Sequence, residues 1–185
     1  LLAEAIGEHR VEQALAGLAS EASVSLRLNP FKHTDAFPLG GDGECRPVAW
    51  SEHGRLLSGR PVFTLDPLFH AGAYYVQDSS AMYVGELFRN LLSRLERPQD
   101  RPLRVLDLCA APGGKTTDAA ASLRAVCGDS YLLLANEIMR SRAGVLADNV
   151  AIWGDPCVAV SSLDPAAFAA LPEFFDIIIA DVPCS

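Results

Sequence analysis

Apolar residues change period along the chain, and each period predicts an element. In residues 1–20, Leu2, Ile6, Ala14, Leu15 and Leu18 stand among charges, the pattern of one amphipathic helix or two short ones. Val24, Leu26 and Leu28 then alternate with Ser23, Ser25 and Arg27, a strand that Asn29-Pro30 ends. Residues 29–60 are rich in Gly, Pro, His and Asp and read as loops with short strands. Ser79-Ser80 are good helix N-caps, and Met82, Val84, Leu87, Phe88, Leu91, Leu92 and Leu95 follow at helical spacing, so a helix is expected over 79–95. Pro98 and Pro102 break it.

From there strands and helices alternate. Strands are predicted at 103–108, 131–136, 157–160 and 176–181, with helices near 115–124, 139–152 and 165–171. Repeated strand–helix units imply an α/β fold with a parallel, doubly wound, Rossmann-like sheet. Ile177-Ile178-Ile179 is apolar throughout, as in a strand covered on both faces. The expected organisation is a small α+β domain over 1–69, then the N-terminal part of the Rossmann-like domain over 70–185, stopping after the fourth strand.

Composition narrows the class. Of 185 residues, 50% are hydrophobic and 21% charged, enough for a packed core and unlike a disordered chain. No apolar run reaches the roughly 18 residues of a membrane span, and Leu1-Leu2-Ala3-Glu4 does not start a signal peptide. Cys45, Cys109, Cys127, Cys157 and Cys184 are scattered, odd in number and without a CxxC pair, which argues against zinc and against a disulfide framework. A cytoplasmic monomer without metal or membrane partner is expected. Net charge −8 weighs against a nucleic-acid binder, although a local basic groove can sit on an acidic protein. Arg27, Lys32, His33 and Arg46 are candidate phosphate contacts, with solvated surface charge the simpler reading of each.

The candidate chemistry begins where Val105-Leu106-Asp107 runs into Leu108-Cys109-Ala110-Ala111-Pro112-Gly113-Gly114-Lys115-Thr116. A helix start offers free N–H groups and partial positive charge, and paired glycines let a ligand approach the backbone. A P-loop is excluded because Cys109 occupies its first glycine position, and GxGxxG is absent. S-adenosylmethionine needs no phosphate cradle; it needs an acid near its positive end, a close backbone and an acid for its ribose. Asp107, at the end of the first strand, suits the former. Glu137, which ends the second, can accept from both ribose hydroxyls. Capping acids are the simpler alternative for each. Asp164 can bind the adenine amino group, or cap a helix with Pro165 at its first position, or both. Gln77 and Asp78 either cap the helix at 79–95 or border the cofactor pocket. His70 reads as a loop histidine. Cys109 reads as packing, and Cys45, Cys127 and Cys157 as structural or incidental.

The turn Asp107-Leu108-Cys109-Ala110-Ala111-Pro112-Gly113-Gly114-Lys115-Thr116 and the end Asp181-Val182-Pro183-Cys184-Ser185 together resemble the Sun-type (Nop/Sun) RNA (cytosine-5) methyltransferases. Leu171-Pro172-Glu173-Phe174-Phe175-Asp176 and Ala71-Gly72-Ala73-Tyr74-Tyr75-Val76-Gln77-Asp78-Ser79-Ser80 are similar too. Ser25-Leu26-Arg27-Leu28-Asn29-Pro30 resembles the family's small N-terminal domain, related to RNA-recognition folds. Phe63-Thr64-Leu65-Asp66-Pro67-Leu68-Phe69-His70 looks most like bacterial members acting on small-subunit ribosomal RNA.

The resemblance implies methylation of cytosine carbon 5 in RNA, with S-adenosylmethionine as methyl donor. A cysteine thiolate adds to carbon 6 and makes carbon 5 nucleophilic. By resemblance Cys184 helps release the product, Asp181 contacts the cytosine ring, and the nucleophile lies in a later Thr-Cys motif. The implied cofactor set is Asp107, Cys109, Ala110, Ala111, Pro112, Gly113, Gly114, Lys115, Glu137, Arg142, Asp164 and Asp181, and Lys115 also lines the site near Asp181. Val182 replaces the family's usual alanine. The start without Met and the end at Ser185 lead us to expect a fragment that does not turn over by itself. Alternatives are a transfer-RNA enzyme of the same chemistry, an amino-methyltransferase, against which Pro183-Cys184 speaks, and a non-catalytic RNA-binding or ribosome-assembly protein.

Overall fold

The computed structural model describes residues 2–19, 23–32 and 45–182; His33 and Cys184 lie outside them. Two short helices, α1 (Leu2–Ile6) and α2 (Glu8–Ala19), open the chain, with Gly7 between them at φ 84°. Neither buries a residue. Four strands follow: β1 (Val24–Leu28), β2 (Arg46–Val48), β3 (Ser51–Leu57) and β4 (Tyr74–Val76). They make an antiparallel sheet of order β2-β3-β1-β4. Its fourth strand comes from beyond the expected boundary at residue 69, because Leu26, Arg27 and Leu28 pair with Val76, Tyr75 and Tyr74. A 3-10 turn (Phe63–Leu65) and α3 (Pro67–His70) fill the crossover, with Asp66 accepting from Leu68 N–H at 2.9 Å and Pro67 starting the helix. His70 therefore ends a short helix rather than sitting in a loop, and its Nε2 meets the Thr64 carbonyl. Leu26, Phe63, Ala73 and Tyr74 form the core here.

The helix expected over 79–95 is shorter, α4 (Tyr83–Leu92), and neither serine caps it. Asp78 instead binds the N–H and hydroxyl of Ser80, both at 2.7 Å, and holds residues 79–82 in a turn ahead of the helix.

The second sheet holds β5 (Leu103–Asp107), β6 (Tyr131–Asn136), β7 (Val158–Ser161) and β8 (Ile177–Ile179), all parallel, in the order β7-β6-β5-β8. Helices α5 (Gly114–Cys127) and α6 (Arg140–Trp153) and a 3-10 segment (Pro165–Ala170) connect them. Tyr131, Leu133 and Ala135 alternate onto one face of β6. They are packed with Phe88, Leu92, Ala120 and Leu123 from α4 and α5, and with Leu146 and Val150 from α6. The opposite face is less covered among the described residues: Leu132 and Ile178 are 37% and 57% exposed. The triple-isoleucine strand expected to be covered on both faces is thus covered on one, since α4, α5 and α6 all lie on the same side. No helix among the described residues is long and apolar enough to cross a membrane.

The two sheets are tied by cations. Lys32 Nζ donates to the carbonyls of Ala71 (2.7 Å) and Ile152 (2.6 Å), joining the end of β1 to α6. Arg27, on β1, is 1% exposed and reaches α5. Burial removes Arg27 from the candidate phosphate contacts and from the solvated surface alike. A strand alternation places Arg27 opposite Leu26 and Leu28 but does not say that a second domain packs on that side. Arg46 is exposed.

Candidate functional site

Connections reverse direction between β5 and β8, where chain order jumps from the first strand of the parallel sheet to the last. Ligands of open α/β sheets bind in the crevice beyond the carboxyl ends of the strands at such a switch point. A cavity of about 220 Å³ lies there, lined by the loop after β5 (Asp107, Cys109, Ala110, Ala111, Pro112), Gly114 and Lys115 of α5, and Asp181 beyond β8. Its other wall comes from the antiparallel domain and the turn after it: Tyr75, Val76, Gln77, Asp78 and Ala81. A larger, open hollow of about 450 Å³ sits at the opposite end of β5, against Arg97, Asp100 and Ser130. It holds none of the motif residues, and the crevice rule favours the smaller cavity.

Asp107 is the most constrained group of the site. It is 1% exposed, and its Oδ2 accepts the Thr116 hydroxyl at 2.7 Å. Its Oδ1 is buried with no hydrogen-bond partner among the described residues. Burial pushes the carboxyl up to about 6, against the hydrogen bond from Thr116 and the charge of Lys115. A buried acceptor without a donor suits a ligand bearing a cation or an N–H group.

The turn itself is built for close approach. Gly113 sits at φ 109°, a conformation that disfavours any other residue. A Cβ on Gly114 would come within 3.3 Å of Gln77 Nε2 and 3.4 Å of Tyr75 Cε1. The Pro112 carbonyl accepts from Asn149 (2.7 Å) and from the Tyr75 hydroxyl (3.1 Å), fixing the loop from both sides.

Lys115 Nζ lies 2.6 Å from Asp181 Oδ2. Cys109 lines the same cavity, and burial together with Glu137 and Asp107 pushes its thiol up, which keeps it neutral and fits the packing role.

Glu137, Arg142, Gly113 and Asp164 are not part of the cavity lining. Glu137 is 3% exposed at the end of β6; Oε1 accepts Met139 N–H at 3.0 Å. Its Oε2 has no hydrogen bond but stands 3.4 Å from Arg142 Nη1. Arg142 Nη2 donates to the Ala111 carbonyl at 2.8 Å, so this pair reaches back to the glycine turn. Asp164 is exposed and caps the 3-10 segment through Ala166 N–H at 2.9 Å. The capping alternative is therefore realised, with the second carboxylate oxygen still able to meet a ligand. Gln77 and Asp78 both border the cavity, and neither caps the helix, since Asp78 binds Ser80 in the turn ahead of it.

Sequence reasoning missed Tyr75, Val76 and Ala81. Their types carry no chemical signal, and only β4 pairing with β1 turns residues 75–77 toward the glycine turn. Asn136 was missed too. Its side chain bonds the Leu108 and Leu163 carbonyls, Leu163 N–H and the Ser161 hydroxyl, clamping the loops after β5 and β7. A polar residue at the end of an apolar strand was the available signal.

Two family models match the chain. Residues 2–79 match the N-terminal domain of 16S rRNA methyltransferase RsmF, and residues 94–185 match 16S rRNA methyltransferase RsmB/F. Among curated relatives, ribosomal RNA small subunit methyltransferase F of Pectobacterium atrosepticum is 36% identical over 87% of this chain and 33% of its own length. That of Klebsiella pneumoniae is 39% identical over 75% of this chain and 28% of its own. The chain spans about a third of the length of these relatives. A methyltransferase homologue from Pyrococcus horikoshii has the same fold, with a TM-score of 0.72 at 22% identity, over 97% of this chain and 56% of its own. NSun6 from Pyrococcus horikoshii, solved with SFG, gives 0.65 at 13% identity, over 98% of this chain and 68% of its own.

Proposed function

The chain belongs to the Sun-type family of 16S rRNA methyltransferases RsmB/F, and from that premise we propose that its protein transfers a methyl group from S-adenosylmethionine to carbon 5 of a cytosine in small-subunit ribosomal RNA. The observation that carries this reading is the meeting of Asp107, Gly114, Lys115 and Asp181 around one cavity at the β5–β8 switch. The relative solved with SFG, an analogue of S-adenosylmethionine, supports the choice of cofactor.

The residues present fit that cofactor. Asp107 offers a buried, unpartnered oxygen for the amino-acid end, and the Gly113–Gly114 backbone allows close approach. Glu137 keeps one buried oxygen free of hydrogen bonds for the ribose, and Arg142 holds Glu137 against the turn. Asp164, in the loop after β7, takes the adenine amino group with the carboxylate oxygen its cap leaves open. When bound, S-adenosylmethionine supplies an electrophilic methyl group.

The other work falls to side chains. Asp181 is 61% exposed at its side chain, so a base entering from solvent reaches it, and the ion pair with Lys115 orients it. An aspartate so placed hydrogen-bonds the cytosine ring as carbon 6 is attacked. The attacking thiolate belongs to a Thr-Cys motif beyond residue 185. Its addition to carbon 6 turns carbon 5 into a nucleophile; once carbon 5 has been methylated, loss of the carbon 5 proton expels the thiolate from carbon 6, a release that Cys184 assists. The target base must leave its stack to be reached.

Bisulfite sequencing of total RNA from cells with and without the intact gene tests the proposal. Loss of one methylcytosine in small-subunit ribosomal RNA supports it. Loss in transfer RNA would replace the substrate, and no lost site would overturn the chemistry.

A further inference from the structure

Arg27 lies in the antiparallel domain, yet its guanidinium is spent on the cavity walls. Nε donates to Gln77 Oε1 at 2.9 Å. Nη2 donates to Thr117 Oγ1 at 2.6 Å and to the Gly114 carbonyl at 3.2 Å. Gln77 and Gly114 both line the cavity and abut each other, a Cβ on Gly114 falling 3.3 Å from Gln77 Nε2. One planar group therefore bonds both the domain wall and the first turn of α5, and fixes how they meet.

Its surroundings hold the guanidinium in place. Asp118 Oδ2 stands 3.6 Å from Nε, and the Trp153 ring centroid lies 4.7 Å from Cζ. Arg89 reaches Asp118 from α4 at 3.4 Å. The side chain is thus fixed by Gln77 just after β4, by α5 and by α6 at once, and a shorter or single-headed cation cannot satisfy Gln77 and α5 together. Leaving the Gly114 carbonyl and Thr117 hydroxyl to solvent-free rearrangement would loosen the turn on which the ligand backbone contacts depend.

We propose that Arg27 is a positioning residue for the methyl-donor cavity, through which the antiparallel domain sets cofactor affinity. The domain is then part of the cofactor site as well as a neighbour of it. This inference rests on the methyl-donor reading above.

The test is titration of the full-length protein with S-adenosylhomocysteine by calorimetry, with hydrogen exchange of the amides at 114–118 measured alongside. Arg27→Met is compared with Asp176→Asn, a destabilised control at the far end of the parallel sheet. The expected result is a Kd raised about tenfold or more in R27M with faster exchange at 114–118, and a wild-type Kd in D176N. Thr117→Val and Gln77→Met, which each remove one acceptor and keep the charge, should raise Kd severalfold even where R27M does not fold. Wild-type Kd values in T117V and Q77M, or equal losses in R27M and D176N, would overturn the proposal. Failure of the wild type to bind S-adenosylhomocysteine would instead overturn the methyl-donor reading, and the positioning role with it.

Discussion

Lys115 and Asp181, which are 66 positions apart in the chain, form an ion pair of 2.6 Å across the mouth of the cavity. The pair joins the first turn of α5 to the loop after β8, the two segments that carry the family's motifs. Its Asp181 end is largely exposed, so its electrostatic contribution to stability is small, about 0–1 kcal/mol. Its value is chemical. Asp181→Asn and Lys115→Met should leave the melting temperature within a degree or two, while methylation of ribosomal RNA falls on the order of 10²-fold or more. Single-turnover assays on the full-length variants check this; near-normal rates in both would remove the pair from the chemistry.

Glu137→Gln should separate binding from folding. Gln keeps an acceptor for Met139 N–H, so the end of β6 should hold. The charged bonds proposed to a ribose would be lost, each on the order of 1.5–3 kcal/mol, which corresponds to about ten- to a hundredfold in affinity. Calorimetry with S-adenosylhomocysteine reads the change, and an unaltered Kd would leave Glu137 as a helix-terminal acid.

Asp107 makes the ligand-free protein sensitive to pH. Its folded-state value of about 6 lies above the ordinary 3.8, so the folded protein binds the extra proton. That contribution to stability is fully present below the ordinary value and is lost as pH rises toward 6. Asp107→Asn carries no such loss. The melting temperature of D107N relative to wild type should therefore climb between about pH 4 and 6 and level off above, while cofactor affinity drops. A flat difference across that range would contradict the assignment.

Asp176 should act with the opposite sign. Its carboxylate accepts from Arg101 twice at 2.7 Å and from Arg104 N–H at 2.8 Å, and those bonds hold it below the usual carboxylate range. Its stabilising effect is present above the ordinary value and lost as pH falls through the lowered one. Asp176→Asn should lower the melting temperature by several degrees at pH 7 and progressively less in acid, with cofactor binding unchanged. Thermal unfolding across pH 3–8 measures it.

Much of the parallel sheet was legible in the chain because its signals are local. The period of apolar positions marked β5, β6, β7 and α6 to within a residue or two, and the turn from Asp107 to Thr116 declared a ligand site by residue type and spacing alone. Asp164 announced its cap through Pro165, and Gly113 its turn. Where the signal was an inference about neighbours, it failed. Ser79 and Ser80 are good caps, but Asp78 captures Ser80 first, and Ile178 is as apolar as a covered residue yet has no helix over it among the described residues.

The residues of the site that only the tertiary structure could place are those whose partners are far away in the chain. Arg27 reads as a polar residue on a half-exposed strand, and nothing within a few positions of it says otherwise. Packing of β4 against β1, and of α5 and α6 against both, takes it out of water and gives it Gln77, Thr117 and Asp118 as partners. A buried cation is tolerated only with such partners, and their joint position is a property of the folded chain. The sequence by itself determined the strand–helix order and the chemistry of one turn, because backbone preference and periodicity act over a few residues. Which side chains close the cavity was decided by contacts 50 to 90 residues apart, as between Arg27 and Gln77 or Thr117.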